Sequence, residues 1–530
     1  MKLRSRILGP AAAAAMLCAG TALHAAPAVA EDAAGWTLPQ LTVSNGTIAD
    51  VTGRMVLLRG MNVNQLNDFA QNDPKLPTVA PLEDTDFAQM AALGTNVVRL
   101  NVAWSALEPT PGAFDEGYVA RIRTAVGQAK AHGIYTVLDM HQDAWGKAVG
   151  TPAGATCPLF MGRGYGWDGA PGWATITDGN TTCNFIHLRE ASPAVATAFQ
   201  HFYDNTNGIQ DHLVATWARL AAEFKDEPAV AGYDLMNEPN PGLRDPFTAA
   251  AQLGQYYRRA IAAIRQGERG GMAHLAMFEP SAIWSAFGID ATPPTQDITD
   301  PLAVFAPHLY SESINVVNSF PTIEQGFDLA EAVAARYRVP LWTGEWGWFG
   351  DPAADESKVN RFVDQENAHR MGGAWWAWKG ACGDPHVVAG GNTDKPTGNV
   401  NSVACPSGTS LGQPAGYAVP LARAYPRAIP GTLASLTAAG FTGNGSGRLE
   451  AWYPGAQRPN LQSAGISGLT LTSVNGGWQV TGTTSGKYSL TQPGVPDNSG
   501  APSTGSASGS ATGSAGSSDS SGSGTGSSGS

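Results

Sequence analysis

The segment VAGYDLMNEP (230–239) is an apolar run that ends on an amide, a carboxylate and a proline. Its apolar part fits a buried strand, and Pro239, which has no N–H to donate, ends the ladder there. A carboxylate at the tip of a buried strand must be held by partners or by water, so Asn237 and Glu238 stand where a strand opens onto something polar. Seven further runs repeat the design: MVLLRGMNVN (55–64), TNVVRLNVAW (95–104), IYTVLDMHQD (134–143), HLAMFEP (274–280), LAVFAPHLYS (302–311), VPLWTGEWGWF (339–349) and GAWWAWKG (373–380). Helical patterns lie between most of them. In 207–225, for example, Ile209, Leu213, Trp217, Leu220 and Phe224 recur at helical spacing. Near-continuous apolar strands separated by helices build a parallel sheet covered on its outside. Eight of them predict an α/β chain folded as a (β/α)8 TIM barrel, with its chemistry at the C-terminal ends of the strands. A doubly wound open sheet would call for a Gly-rich phosphate turn after the first strand, and the sequence has none there.

The two ends fall outside this pattern. Lys2, Arg4 and Arg6 precede an apolar run from Ile7 to Leu23, and AVA at 28–30 offers small residues for cleavage; residues 1–30 read as a secretory signal peptide. The barrel domain is placed at 31–420. Residues 421–495 hold RLEAWYPG, LTLTSV, GWQVTG and KYSLTQ, short alternating runs that predict a small β-sandwich. Its Trp452, Tyr453 and Trp478 are expected to pack against the barrel rather than to bind a ligand. From 496 to 530 the chain is almost wholly Gly, Ser, Ala and Thr, a flexible tail.

Composition excludes some partners. The 32 Lys and Arg against 44 Asp and Glu give a net charge of −12, a surface that repels phosphate backbones and argues against nucleic acid. Cys18 leaves with the leader, and the four remaining cysteines allow three pairings. Cys157–Cys183 with Cys382–Cys405 is favoured, because each pair would staple one long Gly-rich loop; a zinc site would need CxxC or paired histidines.

The strand tips line up polar and aromatic groups on one rim. Arg99 lies inside the second strand, and His141, Gln142 and Asp143 end the third. Asn237 and Glu238 end the fourth, His308 and Tyr310 the sixth, Glu345 the seventh, and Trp376 and Trp378 the eighth. The NEP after strand four, the HLY after strand six and the TGEW of strand seven resemble the retaining β-glycosidases of glycoside hydrolase clan A, family five. DMHQDAWG (139–146), DGAPGWATITDG (168–179), NGIQDHLVATWARLAAEF (207–224) and YDLMNEPN (233–240) are similar to the endoglycoceramidase-related branch of that family. The resemblance runs over roughly residues 50–380.

The chemistry asks for these residue types independently. A glycosidic oxygen is a poor leaving group and needs a carboxylic acid to protonate it. A second, ionised carboxylate attacks the anomeric carbon, and retaining enzymes hold the pair about 5–5.5 Å apart. By the resemblance, Glu238 is the acid/base and Glu345 the nucleophile, and like-charge repulsion is expected to keep a proton on Glu238 at neutral pH. Asn237 should bond the sugar 2-OH, Tyr310 and Arg99 should orient Glu345, and His141, His308 and Asp143 should bind hydroxyls or the acid/base. Alternation puts Trp376 and Trp378 on one side of the strand, with Trp378 as the expected stacking platform. No His/Asp/Glu triad has metal-ligand spacing in the sequence, so no metal or cofactor is expected.

The resemblance implies a secreted enzyme that cuts between glycan and ceramide. Its expected partners are a glycolipid or oligosaccharide substrate and a transient membrane or micelle surface, and the working form is expected to be a monomer. Trp167, Trp173, Trp284, Phe287 and Trp348 are expected to line an apolar groove for the lipid. A β-glycosidase or endo-β-glucanase acting on another lipid glycoside or on a β-glucan is the alternative. GTSLG (408–412) matches the letters of an esterase nucleophile elbow, which requires a strand before it and a helix after it. Its place in a loop beyond the eighth strand argues against that reading.

Overall fold

The computed structural model describes residues 35–496 apart from 186–187, 315–320 and 392–393, so the predicted leader and the tail from 497 onward lie outside the described residues. Eight parallel strands form as expected: β1 Gly60–Val63, β2 Val97–Ala103, β3 Tyr135–His141, β4 Val230–Asp234, β5 Leu275–Phe278, β6 Ala303–Phe305, β7 Thr343–Trp346 and β8 Gly373–Trp375. They pair in the order β6-β5-β4-β3-β2-β1-β8-β7. The ring closes through parallel bridges from Phe305 to Leu341 and from His308 to Glu345. That closure sets a strand-six tip directly against a strand-seven carboxylate.

Main outer helices are α1 Asp84–Ala92, α2 Glu116–Ala131, α3 Ile209–Phe224, α4 Pro246–Gly267, α5 Ile323–Tyr337 and α6 Pro352–Ala368. All five apolar residues that predicted α3 are buried, each worth about 1.5–3 kcal/mol of transfer from water. Helix α4 starts where the sequence says it should: Asp245 accepts from the N–H groups of Phe247 and Thr248, and Pro246 takes the first helical position. The fifth crossover is different. It carries a five-residue helix, Ile283–Phe287, and a single 3-10 turn, Thr295–Asp297.

The run 55–64 divides between two sheets. Arg54–Val56 pairs antiparallel with Ala428–Pro430, and the barrel strand begins only at Gly60. Glycine is required there, because a Cβ would lie 1.6 Å from the Val97 carbonyl oxygen. A continuous apolar run does not reveal such a break. Strands Leu41–Ser44, Thr47–Asp50 and Arg54–Val56 thus extend the C-terminal antiparallel sheet, whose other members are Tyr425–Pro430, Thr432–Thr437, Gly440–Pro454, Gln462–Val474 and Gly477–Thr491. Gly440–Pro454 pairs with Thr432–Thr437 along its first part and with Tyr425–Pro430 along its last, and residues from both parts share one apolar core.

This sheet docks on the underside of the barrel. Tyr425 donates to the Gly94 carbonyl at 2.7 Å, Asn475 donates to the Ala88 carbonyl at 2.7 Å, and the Arg427 guanidinium stacks 3.9 Å over Trp36. Trp452 and Tyr453, expected to pack against the barrel, are buried in the sheet's own core with Trp478 packed on it, and Trp452 also abuts Gly94 of the barrel. Ser410–Gly412 is an exposed strand paired with Ser402–Val403. Both favoured disulfides are present, with Cα–Cα separations of 5.7 Å for Cys157–Cys183 and 5.6 Å for Cys382–Cys405. Among the described residues no helix is long and apolar enough to cross a membrane.

Candidate active site

Arg99 on β2 is the floor of the site. Its fully buried guanidinium meets Asp139 at 2.8 Å, Asp234 at 2.9 Å, Glu279 at 2.9 Å and Glu345 at 2.7 Å, and donates to Asn237 Oδ1 at 3.0 Å. A buried charge is tolerated only when paired, and here one cation serves four carboxylates. Burial opposes its charge, but Asp139 and the other three carboxylates hold Arg99 protonated well above its ordinary range. The surplus acid is relieved elsewhere: burial, then Glu279, pushes Asp234 well up.

Glu345 is gripped on both oxygens. Arg99 takes Oε1, and Tyr310 donates its hydroxyl to Oε2 at 2.9 Å. His308 Nδ1 stands 3.0 Å from Glu238 Oε1 and 3.4 Å from Glu345 Oε2. One oxygen of each glutamate and a His308 nitrogen lie within 4.8 Å of one another, in keeping with the spacing of a retaining pair. Glu238 also carries local strain, with φ at +37° immediately before Pro239, a conformation that a non-glycine residue ahead of proline avoids. Three hydrogen bonds hold it: Glu238 N–H to Glu279 at 2.9 Å, and Gln142 Nε2 to the carbonyls of Asn237 at 2.6 Å and Glu238 at 3.0 Å.

The charge balance around the pair differs from the expected one. Burial works against the charge of Glu238, yet His308, followed by Arg189, holds it down at about 2. Burial pushes Glu345 above the ordinary carboxylate range, outweighing His308 and Arg99. The reason is the division of cations, since Glu238 faces His308 and Arg189 while Glu345 shares Arg99 with three other acids. His308, despite burial, is kept protonated by Glu279 and Glu345. The cations beside Glu238 thus favour its ionised form, and the acids beside His308 favour its protonated form.

His141 bonds Asp139 at 2.6 Å and stacks on Trp376, centroids 5.2 Å apart and planes at 12°; burial opposes its charge, but Asp139 raises it to about 9. Asp143 is tied to Arg189 at 2.6 Å and to His386 at 3.1 Å. His141, Asp143, Arg189 and His386, with Asn237, Glu238, Tyr310, Glu345 and Trp376, line a cavity of about 730 Å³. Its apolar lining includes Leu188, Leu243, Ile283, Phe287, Ile314 and Phe349, the last packed against Tyr310. A second cavity of about 320 Å³ adjoins it across Trp376 and His386, bounded by Asn64, Asp384 and Asn399.

Several expected aromatics are elsewhere. Trp378, the expected stacking platform, is fully buried and donates its indole N–H to Asp86 at 2.9 Å, whereas Trp376 lines the cavity. Strand β8 ends at Trp375, and alternation no longer governs where Trp376 and Trp378 point. Trp284 lies in the short helix 283–287, whose turn sends it into the core against Phe305 while Ile283 and Phe287 face the cavity. Trp167 lies under Arg189, Trp173 donates to the Glu108 carbonyl and Trp348 to the Glu312 carbonyl. Of the five aromatics expected along a lipid groove, Phe287 lines the cavity.

Some contributors escaped the sequence reading. Glu279 ends HLAMFEP much as Glu238 ends its own strand, and the same signal would have found it. Arg189 and His386 sit in long loops with no motif around them. The fold also gathers His141 with Asp143 and Asp168, Glu238 with His308 and Glu345, and Asp139 with Asp234 and Glu279, three groups within metal-ligand reach. Residues from separate strand tips meet in this way without any spacing signature in the sequence. His308 already supplies a cation between the second group, and Arg99 contacts all of the third.

Residues 49–381 match the family model described as cellulase, glycosyl hydrolase family 5. Among solved structures, the chain is similar to an endogalactoceramidase at 65% identity and a TM-score of 0.85, covering 86% of this chain and all of the other. It is also similar to endo-glycoceramidase II from Rhodococcus sp. in complex with ganglioside GM3, at 25% identity and a TM-score of 0.66, covering 85% of this chain and all of the other. Endoglycoceramidase I of Rhodococcus hoagii is 28% identical over 380 residues, 67% of this chain and 70% of that protein. Barrel, carboxylate pair and likeness together define a retaining glycoside hydrolase. The chain belongs to glycosyl hydrolase family 5.

Proposed function

We propose that this enzyme hydrolyses the β-glycosidic bond between the glycan and the ceramide of a glycosphingolipid by double displacement. One observation carries the reading: the cavity that holds the Glu238–Glu345 pair is also lined by exposed or half-buried apolar side chains, Leu188, Leu243, Ile283 and Phe287 among them, which suits acyl chains better than a glucan. Glu345 attacks the anomeric carbon while His308 passes its proton to Glu238, and Glu238 gives it to the departing ceramide oxygen. Glu345 is then an ester. Water enters, Glu238 takes its proton, the oxygen bonds to the anomeric carbon, Glu345 leaves as a carboxylate, and Glu238 returns the proton to His308. Arg99 and Tyr310 hold Glu345 in line, Asn237 meets the 2-OH, Asp143 and His141 meet further hydroxyls, and Trp376 stacks on the sugar.

The second cavity beyond Trp376 supports a glycan longer than one residue, hence endo action. The likeness to an endogalactoceramidase favours galactose as the sugar attached to ceramide. Leu159 and Phe160 are each 83% exposed and lead into Met161, which pairs with Phe185 at the cavity mouth; they support contact with a lipid or micelle surface. Two disulfides and the predicted leader support export. Thin-layer separation of a galactosyl- and a glucosyl-linked glycosphingolipid digest tests the reading: ceramide and intact glycan are expected, fastest from the galactosyl series. Release of single sugars, or cleavage of β-glucan alone, overturns it.

A further inference from the structure

The loop between β3 and the helix at Pro193–Tyr203 sends one cation into the site. Arg189, in LREASP (188–193), begins a single turn, Arg189–Ala191. Its guanidinium lies 4.6 Å over the Trp167 ring and contacts Asp143 Oδ1 at 2.6 Å, Glu190 at 3.1 Å, His386 Nε2 at 3.3 Å and Glu238 Oε2 at 3.3 Å. Asn240, just past Glu238, donates to the Glu190 carbonyl at 2.9 Å, so the turn is tied to the loop that carries the acid/base.

We propose that Arg189 is a positioning residue for Glu238, holding its carboxylate ionised and aimed so that it accepts the proton of water in the second half of the reaction. This rests on the reading of Glu238 as acid/base. Other groups facing Glu238 are His308 and Tyr310 beyond β6, Glu345 on β7, Glu279 beyond β5, and Asp143 beyond β3, with Glu190 and His386 behind Arg189. Once Glu345 becomes an ester and His308 has given up its proton, Arg189 is the cation left against Glu238. In the first half, the same contact opposes protonation of Glu238. Removing Arg189 therefore spares the step in which Glu238 is an acid and harms the step in which it is a base.

The two halves separate on an aryl glycoside with a good leaving group, whose departure needs no acid and whose turnover is limited by hydrolysis of the glycosyl-enzyme. On it, Arg189→Met should move the acidic limb of the kcat profile upward by roughly one pH unit or more, while Arg189→Lys restores part of the shift. A loss of kcat that is equal at every pH, with the limb unmoved in both variants, overturns the proposal and leaves Arg189 a packing residue. Glu238→Gln provides the separate control. If the acidic limb survives in that variant, the acid/base reading fails rather than the role of Arg189.

Discussion

Replacing Leu243 and Phe287 together by serine separates a lipid site from a sugar site. Both side chains line the cavity, and they are 60% and 38% exposed. Full burial of such a side chain is worth about 1.5–3 kcal/mol. Scaled by the area still open, an acyl chain lying on these side chains gains roughly 1–2 kcal/mol from Leu243 and about 1 kcal/mol from Phe287. The sum, about 2 kcal/mol, corresponds to roughly thirtyfold in affinity at about 1.4 kcal/mol per tenfold. The assay compares kcat/KM for a glycosphingolipid in detergent with kcat/KM for a short aryl glycoside. A loss of roughly thirtyfold, carried in KM, is expected on the lipid, with less than about twofold on the aryl glycoside. Equal losses on both would refute the reasoning, because the two side chains would then be serving the sugar.

Glu345→Gln should abolish turnover, and azide should rescue Glu238→Ala on an activated aryl glycoside, a small anion filling the space of the missing side chain; substantial natural-substrate activity in either variant contradicts the pair. Asp168, fully buried among His141 and Asp143, is pushed up to about 8, chiefly by burial. A raised carboxyl contributes stability that is complete below its unfolded value near 4 and is lost as pH rises through 8. The Tm of Asp168→Asn relative to the parent should therefore climb between about pH 4 and 8, and a difference that is flat with pH contradicts the assignment. Opening Cys157–Cys183, which spans 26 residues, by double serine replacement should cost about 3 kcal/mol in urea unfolding; an unchanged midpoint contradicts it.

The barrel was legible because each strand is a short apolar run with a polar residue or proline at its tip, a pattern that outlasts errors at the edges. It failed at 55–64, where one apolar run serves two sheets and only the close approach of Gly60 to Val97 marks the change. Glu238 and Glu345 were legible for the same reason as their strands. Trp378 was misplaced because a period-2 argument was carried past the end of β8, and Trp284 because the fifth crossover turns helical just where a loop was assumed. Arg189 belongs to a different class. It reaches the site from a long loop, over Trp167, and its sequence neighbours say nothing about Glu238. The protonation pattern could not be read either, since it depends on how many carboxylates share Arg99 and how many cations face Glu238.

Proton NMR of a glycosphingolipid digest in detergent micelles tests the central claim most directly, because the first turnovers report both the bond that breaks and the face that is attacked. The anomeric signal of the intact oligosaccharide should appear first in the β configuration, alongside ceramide, before mutarotation brings in the α form. An α product appearing first, or a monosaccharide released ahead of the intact glycan, would contradict the account.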